Sequence, residues 1–200
     1  MGTAVLNGLD RLQGIVRDLL TIARLEGGTP CAHDLVDLAE LVTSEMDARH
    51  PGKRVERDLE EGVLVLGDRL RLARLITNLV DNAERHADST ITVRVHRARG
   101  GGDDRRFVTG AAVLEVLDDG AGIAPDKREL VFQRFARLAA ARGRDSGGTG
   151  LGLSIARQIA EMAGGTLAIH DSPRGARFVL RLPLASTEIG GASSPGGDAR

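Results

Sequence analysis

The chain has 200 residues, room for one ordinary domain with appendages, and its hydrophobic fraction of 42% is enough for a buried core, against wholesale disorder. Only 2% of its residues are aromatic and its formal net charge is −1. These figures leave little from which to assemble the stacking platforms of a single-strand nucleic-acid binder and argue weakly against a general nucleic-acid or membrane-surface binder.

Residues 4–26 read as one helix. Val5, Leu9, Leu12, Val16, Leu19 and Ala23 form a heptad seam, which Ile15, Leu20 and Ile22 widen. Arg11, Arg17, Asp18 and Arg24 lie off the seam. Such a helix packs either on its own domain or on a helical partner in a bundle, and the regular repeat favours the bundle. The opening Met1-Gly2-Thr3-Ala4 leads into this charged amphipathic stretch, which does not resemble a signal peptide. No apolar run approaches the ~20 residues needed to span a bilayer. Gly27-Gly28-Thr29-Pro30 ends the helix. The single Cys31 excludes an internal disulfide and a cysteine metal cluster and fits a reducing cytoplasm.

Asp37 is the expected N-cap of a helix over 38–49, with Glu40 placed to close a capping box and His50-Pro51-Gly52 stopping it. Two short β-like runs follow, around 54–59 and 63–66. Asp68 caps a long helix over about 69–87, with Leu72, Leu75, Ile76, Leu79 and Ala83 at helical period. Residues 90–97 alternate as a strand, with Ile91, Val93 and Val95 on one face. A Gly-, Asp- and Arg-rich hairpin connection over 98–110 leads to a second strand, 112–117. Pro125 opens a short helix to about 132. Residues 136–149 read as a mobile loop, and 151–163 as a helix ended by Gly164-Gly165. Two last strands, 166–171 and 176–182, form a hairpin, and the tail 185–200 is expected to be disordered. The order implies an α/β (α+β) sandwich: a mixed, mostly antiparallel sheet of about five strands, helices on one face, and a long amphipathic helix in front.

Four segments carry chemistry. In Asn78-Leu79-Val80-Asp81-Asn82, the asparagines are four apart, so both amides leave one helix face. Arg85 and His86 extend that ridge. An amide oxygen suits magnesium and an arginine suits phosphate, although a solvated polar stripe would look the same. In Asp118-Asp119-Gly120-Ala121-Gly122-Ile123, a carboxylate at a strand end can accept from an exocyclic amine, and the glycines let backbone approach a flat ring. A plain tight turn is the competing reading. Gly148-Thr149-Gly150-Leu151-Gly152-Leu153 runs from a loop into a helix, where free N–H groups bind phosphate. It is neither a Walker loop nor the dinucleotide fingerprint. A flexible hinge remains possible. Phe132 and Phe135 are either core anchors or the hinge of the 136–149 loop.

In order, these segments resemble the asparagine box, first glycine box, phenylalanine box and second glycine box of the sensor histidine kinases. Gly175 with Phe178 and Leu182-Pro183 resembles the closing strand motif. The match runs over about 37–184. Residues 12–26 look like the end of the second helix of that family's dimerisation bundle. The resemblance implies domains at 1–27 (bundle helix), 28–36 (linker), 37–184 (ATP-binding catalytic domain) and 185–200 (tail). It implies ATP and Mg2+ as cofactors. Asn82 is then the magnesium ligand, supported by Asn78, and Arg85 meets phosphate. His86 flanks adenine, Asp118 accepts from its amine, and Gly120, Gly122 and Ile123 shape the pocket. Phe132 and Phe135 hold the loop, and Gly148, Thr149, Gly150, Leu151, Gly152 and Leu153 embrace the triphosphate. Two positions depart from the pattern: His86 stands where an aromatic, usually Tyr, is found, and Ala176 where Thr is common.

Related ATPases and anti-sigma serine kinases typically carry a Glu general base where this chain has Asn78, which cannot take a proton. That disfavours self-contained hydrolysis and serine phosphorylation. The family's phosphate acceptor is a His followed by an acidic residue on the first bundle helix. Of His33, His50, His86, His96 and His170, only His33-Asp34 and His170-Asp171 have the acidic neighbour. His33 follows the Gly27–Pro30 break and His170 falls in an expected strand, so all five read as non-acceptors, with His33 the one nearest to the pattern. The expected partners are therefore a histidine-bearing bundle helix, upstream in cis or on another chain in trans, a response regulator, and a second copy through helix 4–26, with no nucleic acid. The expected site of action is the cytoplasm, free or tethered. The alternative is a non-catalytic ATP-binding docking module that regulates a partner kinase.

Overall fold

A computed structural model describes residues 2–27, 34–49, 52–100, 104–108, 110–136 and 149–185. His33, His50, Gly148, most of the 136–149 loop and the tail beyond 185 lie outside the described residues.

Helix α1 (Gly2–Glu26) is followed by a short strand β1 (Asp34–Asp37), helix α2 (Leu38–Asp47) and strands β2 (Arg54–Leu59) and β3 (Leu64–Gly67). Helix α3 (Arg69–His86) precedes strands β4 (Thr90–Ala98) and β5 (Ala111–Asp118). Helix α4 (Gly152–Met162) precedes strands β6 (Thr166–His170) and β7 (Arg177–Pro183). The main sheet has five strands in the order β2-β4-β5-β7-β6, with β2 parallel to β4 and the other pairs antiparallel. The expected α+β sandwich is therefore what forms.

Burial explains the order. Central β5 is buried along nearly its whole length, as a strand flanked on both sides and covered on both faces must be. On β4 the alternation puts Ile91, Val93 and Val95 inward. Helices α3 and α4 close that face with Leu72, Leu75, Ile76, Leu79 and Ala83 from one and Ile155, Ala156, Ile159 and Ala160 from the other.

Some expectations change. The strand Asp34–Asp37 was not expected; it pairs antiparallel with β3 in a second, two-stranded sheet. Its last residue, Asp37, also caps α2, accepting from Ala39 N and Glu40 N at 2.9 and 3.2 Å. The Glu40 carboxylate is engaged by Arg69 at 3.4 Å, so the capping box is not the contact it makes. The short helix expected after Pro125 is a pair of 3-10 turns, Pro125–Lys127 and Leu130–Phe132.

Helix α1 has two working faces. Leu12, Val16, Leu19 and Leu20 are exposed, so most of the seam looks away from the domain. Asp18, Ile22 and Leu25, at helical spacing, are buried against it. Burial of Ile22 and Leu25 contributes roughly 1.5–3 kcal/mol each, before the entropy of ordering the helix is subtracted. No helix among the described residues is long and apolar enough to cross a membrane.

Candidate nucleotide site

Asp118 ends the central strand, where the chain must turn out of the sheet. It is 4% exposed. Its Oδ1 accepts from Gly120 N at 3.0 Å and Ala176 N at 3.3 Å. Its Oδ2 is buried without a hydrogen-bond partner. Burial pushes the carboxyl above its ordinary pKa, against the lowering effect of those two N–H groups and of His86. A buried, half-satisfied carboxylate is costly to leave unpaired, so the orphaned oxygen points to a donor from outside the chain.

The turn that follows is held from several sides. Gly120 lies so close to His86 that a Cβ there would sit 2.0 Å from the His86 carbonyl oxygen. Gly175, at φ +68°, packs against the Asp118 carbonyl, which a Cβ would meet at 1.7 Å. Arg174 Nε donates to Asp119 O at 2.7 Å and Arg128 Nε to Ile123 O at 3.5 Å, one at each end of the turn. The Asp119 carboxylate accepts from Ser89 Oγ, Ser89 N and Thr90 N at 2.6, 2.9 and 3.0 Å. These bonds, the Ser89 hydroxyl first, hold its pKa far below the ordinary carboxylate range. The adjacent aspartates thus have separate work: Asp119 ties the turn to the start of β4, and Asp118 offers a free acceptor.

Helix α3 runs from this turn toward α4. Asn78 and Asn82 are 7% and 8% exposed. Buried amides one turn apart are not a solvated stripe. Asn78 Oδ1 lies 3.5 Å from where a Cβ on Gly152 would be, so the amide packs against the first residue of α4. Asn78 Nδ2 has no partner. Arg85 is exposed at the C-terminal end of the ridge. His86 is exposed on one side; its partial burial, then Arg85, lower its pKa, while Asp118 raises it. One ridge therefore connects the carboxylate turn, through His86 and Asn82, to the N-terminus of α4, through Asn78.

Thr149 and Leu151 complete that terminus. Leu151 N donates to Thr149 Oγ1 at 3.2 Å, and the Leu151 side chain is fully buried. Phe135 N donates to Gly150 O at 2.9 Å, so the two described residues lie side by side.

Residues 67–186 match the family described as histidine kinase-, DNA gyrase B-, and HSP90-like ATPase. The chain belongs to this ATPase family. A probable sensor histidine kinase of Mycobacterium tuberculosis, TcrY, is 36% identical over 181 residues, covering 88% of this chain and 36% of the relative. The signal transduction histidine-protein kinase AfsQ2 of Streptomyces coelicolor is 39% identical over 175 residues, covering 86% of this chain and 31% of that one. The chain thus spans about a third of these relatives. The crystal structure of the ATP binding domain of PrrB from Mycobacterium tuberculosis is similar at a TM-score of 0.59 and 27% identity, covering 78% of this chain and 99% of that one.

The residues present fit ATP, the nucleotide of this ATPase family. The buried Asp118 Oδ2 is an acceptor awaiting a donor and the Asn78 Nδ2 a donor awaiting an acceptor. Phe132 takes the core-anchor place, one of the two readings open to it. Its ring is buried, edge-on to Phe178 at 6.4 Å, with the Arg157 guanidinium over it at 4.2 Å. It anchors the core and cannot face a ligand. Phe135 is 61% exposed, at φ 62°, a conformation uncommon outside glycine. Leu153 packs against the core. Arg128 and Arg174, which hold the turn, lie outside every motif and carry no sequence signal of their own.

Proposed function

We propose that this chain is the ATP-binding catalytic part of a sensor histidine kinase. It binds Mg-ATP and donates the γ-phosphate to a histidine on another segment or chain, in two-component signalling. The observation that carries this reading is the Asp118 carboxylate, buried, fixed through one oxygen and free at the other. An adenine amine supplies the donor that oxygen lacks.

Asp118 orients the base, with Gly120, Gly122, Ile123 and His86 around it. Arg85 neutralises phosphate charge. Thr149 and the backbone from Gly150 to Gly152 meet the triphosphate at the α4 N-terminus. Among the described residues no group of three or more His, Cys, Asp and Glu could hold a metal ion. Asn82 Oδ1, supported by Asn78, would hold magnesium together with the nucleotide's own oxygens. The metal supplies charge neutralisation, and the chain supplies positioning, which is most of what phosphoryl transfer needs. Asn78 offers no base, consistent with transfer to an external acceptor.

In this reading residues 1–27 are the second helix of a dimerisation bundle, 28–36 a linker, 37–184 the catalytic domain and 185–200 a tail. The exposed leucines and valine of α1 are the surface for a bundle partner. A response regulator receives the phosphate afterwards. The work takes place in the cytoplasm, free or tethered through other segments.

The test is transfer. The protein is mixed with magnesium, γ-labelled ATP and a histidine-bearing bundle from the same genome. Acid-labile label on the bundle histidine is the expected result. Nucleotide binding without transfer to any such bundle would leave the non-catalytic docking module as the better description.

A further inference from the structure

One ionic cluster sits at the far end of the same ridge. Asp18, on α1, is 5% exposed although it is an aspartate on a helix that precedes the domain. Its Oδ1 is held by Arg74 Nη2, and its Oδ2 accepts from Thr149 Oγ1 at 2.7 Å. Arg74 is four residues before Asn78 and eight before Asn82, so it continues their ridge away from Asp118. Its Nε is buried and has no partner. Within one turn of helix there are thus two unsatisfied buried donors, Arg74 Nε and Asn78 Nδ2, beside a threonine hydroxyl and a single carboxylate.

This is an anion site that its occupant only half fills. A carboxylate offers two oxygens, while a terminal phosphate offers three and more charge. The position along the helix says which phosphate: Arg74 lies roughly 12 Å of helix from Asn82, on the side opposite the adenine turn. Only the last phosphate of a triphosphate extends that way. Thr149 cannot donate to Asp18 and to phosphate at once, so the two anions exclude each other.

We propose that Arg74 and Thr149 form the receptor for the terminal phosphate of ATP, and that Asp18 of α1 occupies it until the phosphate displaces it. This rests on the reading of the site as one for ATP, and it adds a phosphate-binding arginine and a built-in competitor. It also ties α1 to nucleotide state: ATP releases the Asp18 contact, and ADP, which lacks the third phosphate, leaves it in place.

The experiment compares equilibrium affinities for magnesium-ATP and magnesium-ADP in the whole chain. Asp18→Asn removes the competing charge, and the preference for ATP over ADP rises about tenfold. Arg74→Gln and, separately, Thr149→Val lower affinity for ATP about tenfold more than affinity for ADP. Measurable ADP binding in each variant shows that it is folded. If Asp18→Asn changes both affinities equally, or Arg74→Gln leaves their ratio as it was, the proposal is overturned while the ATP site stands. If the unaltered protein binds neither nucleotide, the ATP reading falls and this proposal with it.

Discussion

The two ends of the candidate site are built differently. At the carboxylate end, Asp118 sits on a central strand and its turn is fixed by backbone bonds, by close glycine contacts and by Arg128 and Arg174. None of the described residues fills its open oxygen. At the phosphate end the equivalent polar groups come from α3, from the segment before α4 and from α1, and an aspartate already lies among them. One end is preformed with one oxygen left open; the other is assembled from separate elements, and its polar groups are engaged with one another. The first suits recognition of the base that ATP and ADP share. The second suits discrimination by phosphate number.

The largest expected effect breaks the preformed end. Asp118→Asn keeps the Oδ1 contacts and removes the charge at the orphaned position. Affinity for ATP and ADP falls together, by about 10–100-fold, because a charged hydrogen bond is lost from both. The same change relieves a buried charge, so the nucleotide-free protein melts higher, by about 2–4 °C for each kcal/mol relieved. Calorimetric titration and thermal melting check the two halves. A loss confined to ATP would erase the distinction between the ends.

A smaller effect comes from pH. The Asp118 pKa is raised in the folded chain by burial. As pH falls through that raised value, the folded protein takes up a proton that the unfolded chain, with its Asp near ~3.9, does not yet bind. Stability then increases as pH falls, while nucleotide affinity decreases because the acceptor is protonated. Affinity measured against pH shows the loss beginning above the ordinary aspartate range, and Asp118→Asn removes that step.

The smallest effect on the nucleotide concerns the outer face of α1. Val16→Glu alters a residue exposed on the side away from Asp18. Nucleotide affinity is unchanged, and association with a second copy or a bundle partner, followed by sedimentation, is lost. A change in ATP affinity would mean that the two faces of α1 are not independent.

Much of this was legible in the sequence. The four-residue spacing of Asn78 and Asn82 and the period of the apolar residues between and around them placed the ridge, because a helix records its faces locally. Asp118 was legible as the end of an apolar run. What escaped were contacts between distant segments. Asp18 read only as a charge off the apolar seam and Arg74 carried no signal of its own; only docking of α1 brings them together. The strand Asp34–Asp37 is short and finds its partner, β3, across an intervening helix and strand. Phe132 and Phe135 share one motif, yet one enters the core and the other does not, a division made by the turn between them rather than by residue type.

The most direct test of the central claim, that both ends belong to one ATP site, is calorimetric titration of the protein with ATP with and without magnesium. The account predicts saturable binding in the micromolar range that depends on magnesium, with that dependence lost in Asn82→Ala. No binding by the unaltered protein, or binding that Asn82→Ala leaves as magnesium-dependent as before, would contradict it.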